Sequence, residues 1–177
     1  MKLKRITFDF ADIELLNALA KEAFPPEEYI APIELIEMSQ KTNLDFWALY
    51  EDKSFIGFSV IVTHKTMVYL FFLAINPTVR SLGYGSIALS ELIRKYPSYQ
   101  HVVDMEMIDN NASNIAQRIK RKKFYLKNGY METGHYLSYF GVSYEIMCKN
   151  KDFDFELFKE LLKTIPIRNF NPIFFNK

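Results

Sequence analysis

The chain has 177 residues and a mass of 20.9 kDa, enough for one domain with an enclosed core. Apolar residues make up 49% and aromatic residues 16%, which excludes a disordered chain, and 22 basic against 21 acidic residues leave a formal charge of +1, no global footprint for nucleic acid. Cys148 is the one cysteine, so there is no disulfide framework, and the composition leads us to expect a cytoplasmic protein with no membrane partner. The most apolar run, residues 68–75, is too short to cross a bilayer. His64, His101 and His135 lie far apart and form no metal motif.

Residues 3–8 alternate weakly and read as an opening strand. Asp9 is placed to cap a helix from Phe10 onward, with Ile13, Leu16, Ala20 and Phe24 along one side, until Pro25-Pro26 ends it. Pro32 suits the first turn of a second helix over residues 32–39. Residues 44–50 and 55–63 read as a hairpin across Glu51-Asp52-Lys53, and residues 67–75 as the next strand. A helix over 86–96, a strand over 102–108, a helix over 112–128 ended by Gly129, and strands over 130–139 and 144–149 around Gly141 follow. Residues 153–162 read as a last helix. Pro166 and Pro172 then discourage regular structure, although Ile167, Phe170, Phe174 and Phe175 predict that the tail packs.

The segment between the fourth and fifth of these strands is the most informative. An apolar run ends in Asn76-Pro77 and leads to Arg80-Ser81-Leu82-Gly83-Tyr84-Gly85-Ser86 and an amphipathic helix. The two glycines remove side chains where a ligand approaches the backbone, and permit positive φ. Successive amides in such a turn, backed by a helix N-terminus, make a cradle for an anion. Arg80 adds a fork of charged donors. A phosphorylated ligand is the expectation.

The order strand, Asn76-Pro77, Arg80-x-x-Gly83-x-Gly85-Ser86, helix resembles the acyl-coenzyme A loop of the GCN5-related N-acetyltransferase (GNAT) superfamily. Residues 121–130, with Phe124-Tyr125 ahead of Gly129-Tyr130, resemble the late helix-to-strand segment of the same enzymes. The resemblance implies a mixed α/β fold, a strongly twisted central sheet of about seven strands with helices on both faces. It implies acetyl-coenzyme A as cofactor, its pyrophosphate on Arg80, Ser81, Leu82, Gly83, Tyr84, Gly85 and Ser86. The pantetheine arm is expected as an added strand near Leu73 and Ile75. Tyr125 matches the tyrosine that donates a proton or hydrogen bond to the departing thiolate. Residues 1–150 would form the acyltransferase domain, with 151–177 a C-terminal helix and aromatic tail packed on it. Relatives of this kind often dimerise, so a homodimer is an expectation too.

An attacking amine must shed its proton to a base or a water chain. Glu106 is the nominated carboxylate, with Asp104 its same-face neighbour on the strand. The preceding strand, residues 68–73, offers no acid. Arg118, Lys120, Arg121, Lys122 and Lys123 form a basic cluster that reads as a solvated face ahead of a contributor to the field around cofactor phosphates, with nucleic acid last. Arg118 stands where the superfamily's helix commonly has asparagine, and Asn110, Asn111 and Asn114 are the nearby amides. Residues 24–37, Tyr29, Tyr136, Tyr139, Phe140 and Tyr144 are candidates to face the acceptor, and read equally as core and rim aromatics. No sequence feature activates Cys148, which favours direct transfer to a primary amine in a ternary complex over a covalent route. Two alternatives stand beside this reading: transfer of a bulkier acyl group, and a coenzyme A-binding sensor without turnover.

Overall fold

The computed structural model describes residues 1–26 and 28–176. Glu27, within the 24–37 stretch expected to face an acceptor, and Lys177, the last residue of the tail, lie outside the described residues. The chain divides into two compact units, Met1–Thr63 with Leu70–Pro97, and His64–Tyr69 with Ser98–Lys177.

In the first unit β1 (Lys2–Arg5) is followed by α1 (Ile13–Ala23) and α2 (Pro32–Lys41), and then by β2 (Leu44–Glu51) and β3 (Ser54–His64). β2 pairs antiparallel with both β1 and β3. Both β2 and β3 are buried along nearly their whole length, which is why their sequences run apolar without clean alternation. α1 buries Leu16, Leu19 and Ala20, and α2 buries Leu35 and Ile36. Most of β4 (Met67–Ile75) belongs here, together with α3 (Tyr84–Lys95). Gly57 on β3 lies against β4: a Cβ there would stand 2.1 Å from the Ala74 carbonyl oxygen.

In the second unit, Met67–Tyr69 of β4 pairs in parallel with Gln100–Val102 at the start of β5 (Gln100–Glu106). Then come α4 (Ile115–Lys127), β6 (Met131–Tyr139), β7 (Val142–Cys148), α5 (Phe155–Leu162) and β8 (Ile173–Phe175). β7 lies between β5 and β6, antiparallel to each, and β8 pairs antiparallel with β6. β6 and β7 turn through Phe140 and Gly141, both at positive φ. The fully buried Phe158 of α5 packs edge-on to Tyr69, with ring centroids 5.3 Å apart.

The hydrogen-bonded order is β1-β2-β3-β4-β5-β7-β6-β8, so the fold is mixed α/β with an eight-stranded sheet flanked by helices. The eighth strand is the difference from the sequence reading. Residues 173–175, just past Pro172, find acceptors and donors on the edge of β6, where an extended segment can pair in spite of the proline before it. α1 starts at Ile13 rather than near Phe10, because the Asp9 carboxylate takes the Thr7 hydroxyl instead of capping a helix. α3 begins two residues earlier than its apolar pattern, since Gly83 in the left-handed conformation serves as its N-cap. A 3-10 turn at Pro77–Val79 precedes it, held by Asn76, whose side chain accepts from the Thr78 amide at 3.1 Å.

Candidate active site

The glycine turn of the first unit has the geometry of a cradle. Ser81 (φ +66°) and Gly83 (φ +89°) are both left-handed, and Gly83 leads directly into α3. Ser86 and Ile87 donate back to the Gly83 carbonyl at 3.0 and 3.2 Å. The amides of Tyr84 and Gly85 precede them at helix positions for which an α-helix provides no acceptor. A Cβ on Gly83 would meet nothing within 4 Å, so open space lies over the turn. Leu73 and Ile75 of β4, with Val79 and Tyr84, pack on Leu49, Ile56 and Ala88 and seat the turn on the core.

Arg80 is placed at this turn but is already engaged. Its Nε donates to the Ile75 carbonyl at 2.9 Å, and its two terminal nitrogens form a fork on Glu22 of α1 at 3.0 and 2.6 Å. Arg80 thus braces the turn to α1, with three of its five N–H donors engaged.

In the second unit, register puts Asp104 opposite Ile146 and Glu106 opposite Tyr144, on one face of β5. Glu106 is enclosed by α4 and the residues leading into it: Arg118 at 2.9 Å, Arg121 at 2.9 Å and the Asn114 amide at 3.1 Å. Arg118 also donates to the Asn114 side chain and to the Met107 carbonyl, both at 2.7 Å. Its place in the helix therefore serves to tie α4 to the end of β5. Lys122 pairs with Glu145 of β7 at 2.8 Å and with Glu132 of β6, whereas Lys120 and Lys123 are exposed. That ion pair lines a cleft of about 480 Å³ together with Met107, Ile108 and Tyr136.

Tyr125 lies on the buried side of α4, edge-on to Phe124 and Tyr130. Burial pushes its phenol up to about 12, against a lowering by Arg121 and a further rise from Asp104. Asp104 is held by two phenols that sequence reasoning did not connect to it, Tyr69 at 2.8 Å and Tyr139 at 2.9 Å. Its alternation with Glu106 was visible in the sequence; its partners were not, since they come from two other strands. Among the remaining aromatics, Tyr139 and Tyr144 stack on each other and Tyr136 stacks on Phe175. Cys148 is buried and its thiol is pushed up by burial, which suits a structural residue. Among the described residues no metal-binding group of His, Cys, Asp or Glu occurs, and no helix is long and apolar enough to cross a membrane.

The model of the acetyltransferase (GNAT) family matches residues 13–130, more than half of the chain. The chain belongs to the GNAT family. A protein described as a GNAT-family acetyltransferase from Bacteroides thetaiotaomicron is 24% identical, with a TM-score of 0.73 over 90% of this chain and 92% of that one. An aminoglycoside 6'-N-acetyltransferase complexed with coenzyme A is 16% identical, with a TM-score of 0.63 over 84% and 96%. A spermidine N-acetyltransferase chimera of Vibrio cholerae SpeG and hSSAT is 15% identical, with a TM-score of 0.64 over 84% and 95%. At these identities the likeness is one of fold. No curated protein sequence matches this GNAT chain.

Proposed function

We propose that this GNAT chain is an N-acetyltransferase that moves an acetyl group from acetyl-coenzyme A to a primary amine by direct attack in a ternary complex. The carrying observation is the left-handed turn at Ser81 and Gly83 that opens into α3, with free space where a Gly83 side chain would stand. The backbone from Leu82 to Ser86 holds the cofactor's pyrophosphate, and Leu73 and Ile75 hold its pantetheine arm. The presence of coenzyme A in one similar fold supports this assignment. When bound, acetyl-coenzyme A supplies the activated acyl group.

Tyr125 donates a hydrogen bond to the departing sulfur. With its phenol pushed up to about 12 it stays protonated throughout the neutral range, so it stabilises the thiolate as a donor and does not act as a resting base. Glu106 is already occupied by Arg118, Arg121 and Asn114, which fits a brace between β5 and α4 better than a base. Removal of the amine proton then falls to water. Three of the five basic residues on α4 are engaged by carboxylates, so we assign no nucleic-acid partner. We place the enzyme in the cytoplasm.

Calorimetric titration of acetyl-coenzyme A into wild type and a folded Gly85→Trp variant tests the cradle. Binding in wild type and its loss in the variant are expected. Equal binding by the two proteins would move the cofactor away from this turn, and no binding by wild type would sink the assignment. Thiol release with a panel of primary amines, using acetyl- and then succinyl-coenzyme A, tests the reaction and the acyl size.

A further inference from the structure

One charge decides the electrostatics of the glycine turn. Arg80 is the only charged side chain between Ile75 and Glu91, so whatever engages it sets the field that an approaching anion meets. Glu22 of α1 engages it. The carboxylate takes both terminal nitrogens, at 3.0 and 2.6 Å, while Nε stays on the Ile75 carbonyl at 2.9 Å. Glu22 therefore stands one guanidinium away from the end of β4, and the pair leaves the turn electrically neutral.

The position of Glu22 adds to this. It lies in the last turn of α1, where the carbonyl end of the helix disfavours an acid and favours a base such as the neighbouring Lys21. The cation that offsets this cost comes from 58 residues further along the chain. The end of α1 is fixed in place: Leu19 and Ala20 are buried, and Phe24 packs on Phe72 of β4 and Phe58 of β3, with centroids 4.4 and 6.1 Å apart. The carboxylate is thus carried by a backbone seated against the strand that leads into the turn. The pair itself is about half exposed and stays open to salt. Glu22 has two opposed effects on Arg80: its fork orients the guanidinium, and its charge cancels the one that would draw an anion. The bond from Nε to the Ile75 carbonyl already orients the group, so cancellation is the larger effect.

We propose that Glu22 sets the affinity of the glycine turn for the cofactor, and sets it low, by holding the Arg80 charge in a neutral pair. The pyrophosphate is then held by backbone amides from Leu82 to Ser86, and the cofactor exchanges readily. This rests on the N-acetyltransferase reading above, and it names a control on that same site. Glu22 is a positioning residue: it acts on the cofactor through Arg80.

The test is calorimetric titration of coenzyme A into wild type, Glu22→Gln and Glu14→Gln, at about 0.01 M and about 1 M salt, where charges are screened over about 30 Å and about 3 Å. Glu14 is exposed in the first turn of α1, about two helical turns from Glu22, and its variant changes the net charge by the same amount. Glu22→Gln is expected to bind coenzyme A about three- to fivefold more tightly than wild type at low salt, the scale of one exposed ion pair. The gain should vanish at high salt, and Glu14→Gln should match wild type in both conditions. A purely structural role for Glu22 would leave binding by Glu22→Gln unchanged or weaker, and a general effect of net charge would give Glu14→Gln the same gain. Either result would overturn the proposal, as would a gain that persists at high salt. If Glu22→Gln does not fold, Glu22→Ala carries the comparison with the same expected gain. Coenzyme A binding by wild type without a gain in the folded variant overturns this control alone, whereas no binding by wild type overturns the cofactor reading with it.

Discussion

Two glycines of the first unit show how the same residue type answers to different physics. Gly57 is required by space, because a Cβ would stand 2.1 Å from the backbone oxygen of Ala74, which is part of β4 and does not move aside. Gly83 is required by conformation, with φ +89° and no atom within 4 Å of where its Cβ would stand. Gly57→Ala should therefore cost about 3 kcal/mol, the upper end of overpacking penalties. Gly83→Ala should cost about 1–2 kcal/mol, the strain of a side chain in the left-handed region. Urea denaturation of the two variants checks the order, and a smaller loss at Gly57 would contradict the close approach of β3 to β4.

Among the elements, α4 depends on charge more than on apolar contact. Tyr125 is its one buried residue, and Arg118, Arg121 and Lys122 reach carboxylates on β5, β6 and β7. Glu145 has a side chain only 6% exposed, so removing its cation leaves a carboxylate without compensation in a place water scarcely reaches. Lys122→Ala is expected to cost about 3–5 kcal/mol, whereas Arg94→Ala, which breaks a pair with the arginine 74% exposed, should cost about 1 kcal/mol or less. Thermal or urea melts of the two variants make the comparison. α5 depends instead on its cap: the Asp154 carboxylate accepts from the Leu157 amide at 2.9 Å. Asp154→Ala should lower stability by about 1 kcal/mol, and Asp154→Ser should restore most of it.

Across the whole chain, buried phenols set the response to alkali. Burial pushes Tyr50, Tyr69, Tyr96, Tyr125, Tyr130 and Tyr139 above the ordinary tyrosine range, with carboxylates adding to the effect at Tyr50, Tyr69, Tyr96, Tyr125 and Tyr139. A phenol whose folded value is raised stays protonated when the unfolded chain has already lost that proton. Stability is then fully present below about pH 10, the unfolded value, and falls as the pH rises beyond it. For Tyr125 the window runs from about 10 to about 12, with a slope of about 1.4 kcal/mol per pH unit. Urea midpoints should decline gently from about pH 8.5, where the unfolded Cys148 thiol ionises, and drop steeply above about pH 9.5, and Tyr125→Phe should make the steep drop shallower. A midpoint that does not change up to pH 11.5 would mean that these hydroxyls are not buried in solution.

What adjacent residues can encode was legible in the chain. Asn76-Pro77, Gly83 and Gly85 announced the turn into α3; Gly129 announced the end of α4, and Gly141 the turn between β6 and β7. Each is a backbone requirement met within a few residues, so local chemistry carries it. The partners of the charged groups were not legible. Asp104 takes its phenols from residues 35 positions to either side, and whether a carboxylate meets a guanidinium or a tyrosine depends on strand register and helix placement. The strand at residues 173–175 was hidden for the same reason, since its pairing partners lie on β6, remote along the chain. Sequence alone determined the family, the glycine turn into α3 and the order of elements as far as α5. Tertiary structure decided which of two carboxylates on β5 is enclosed by cations and which is held by phenols, because that choice is made by contacts between segments remote along the chain.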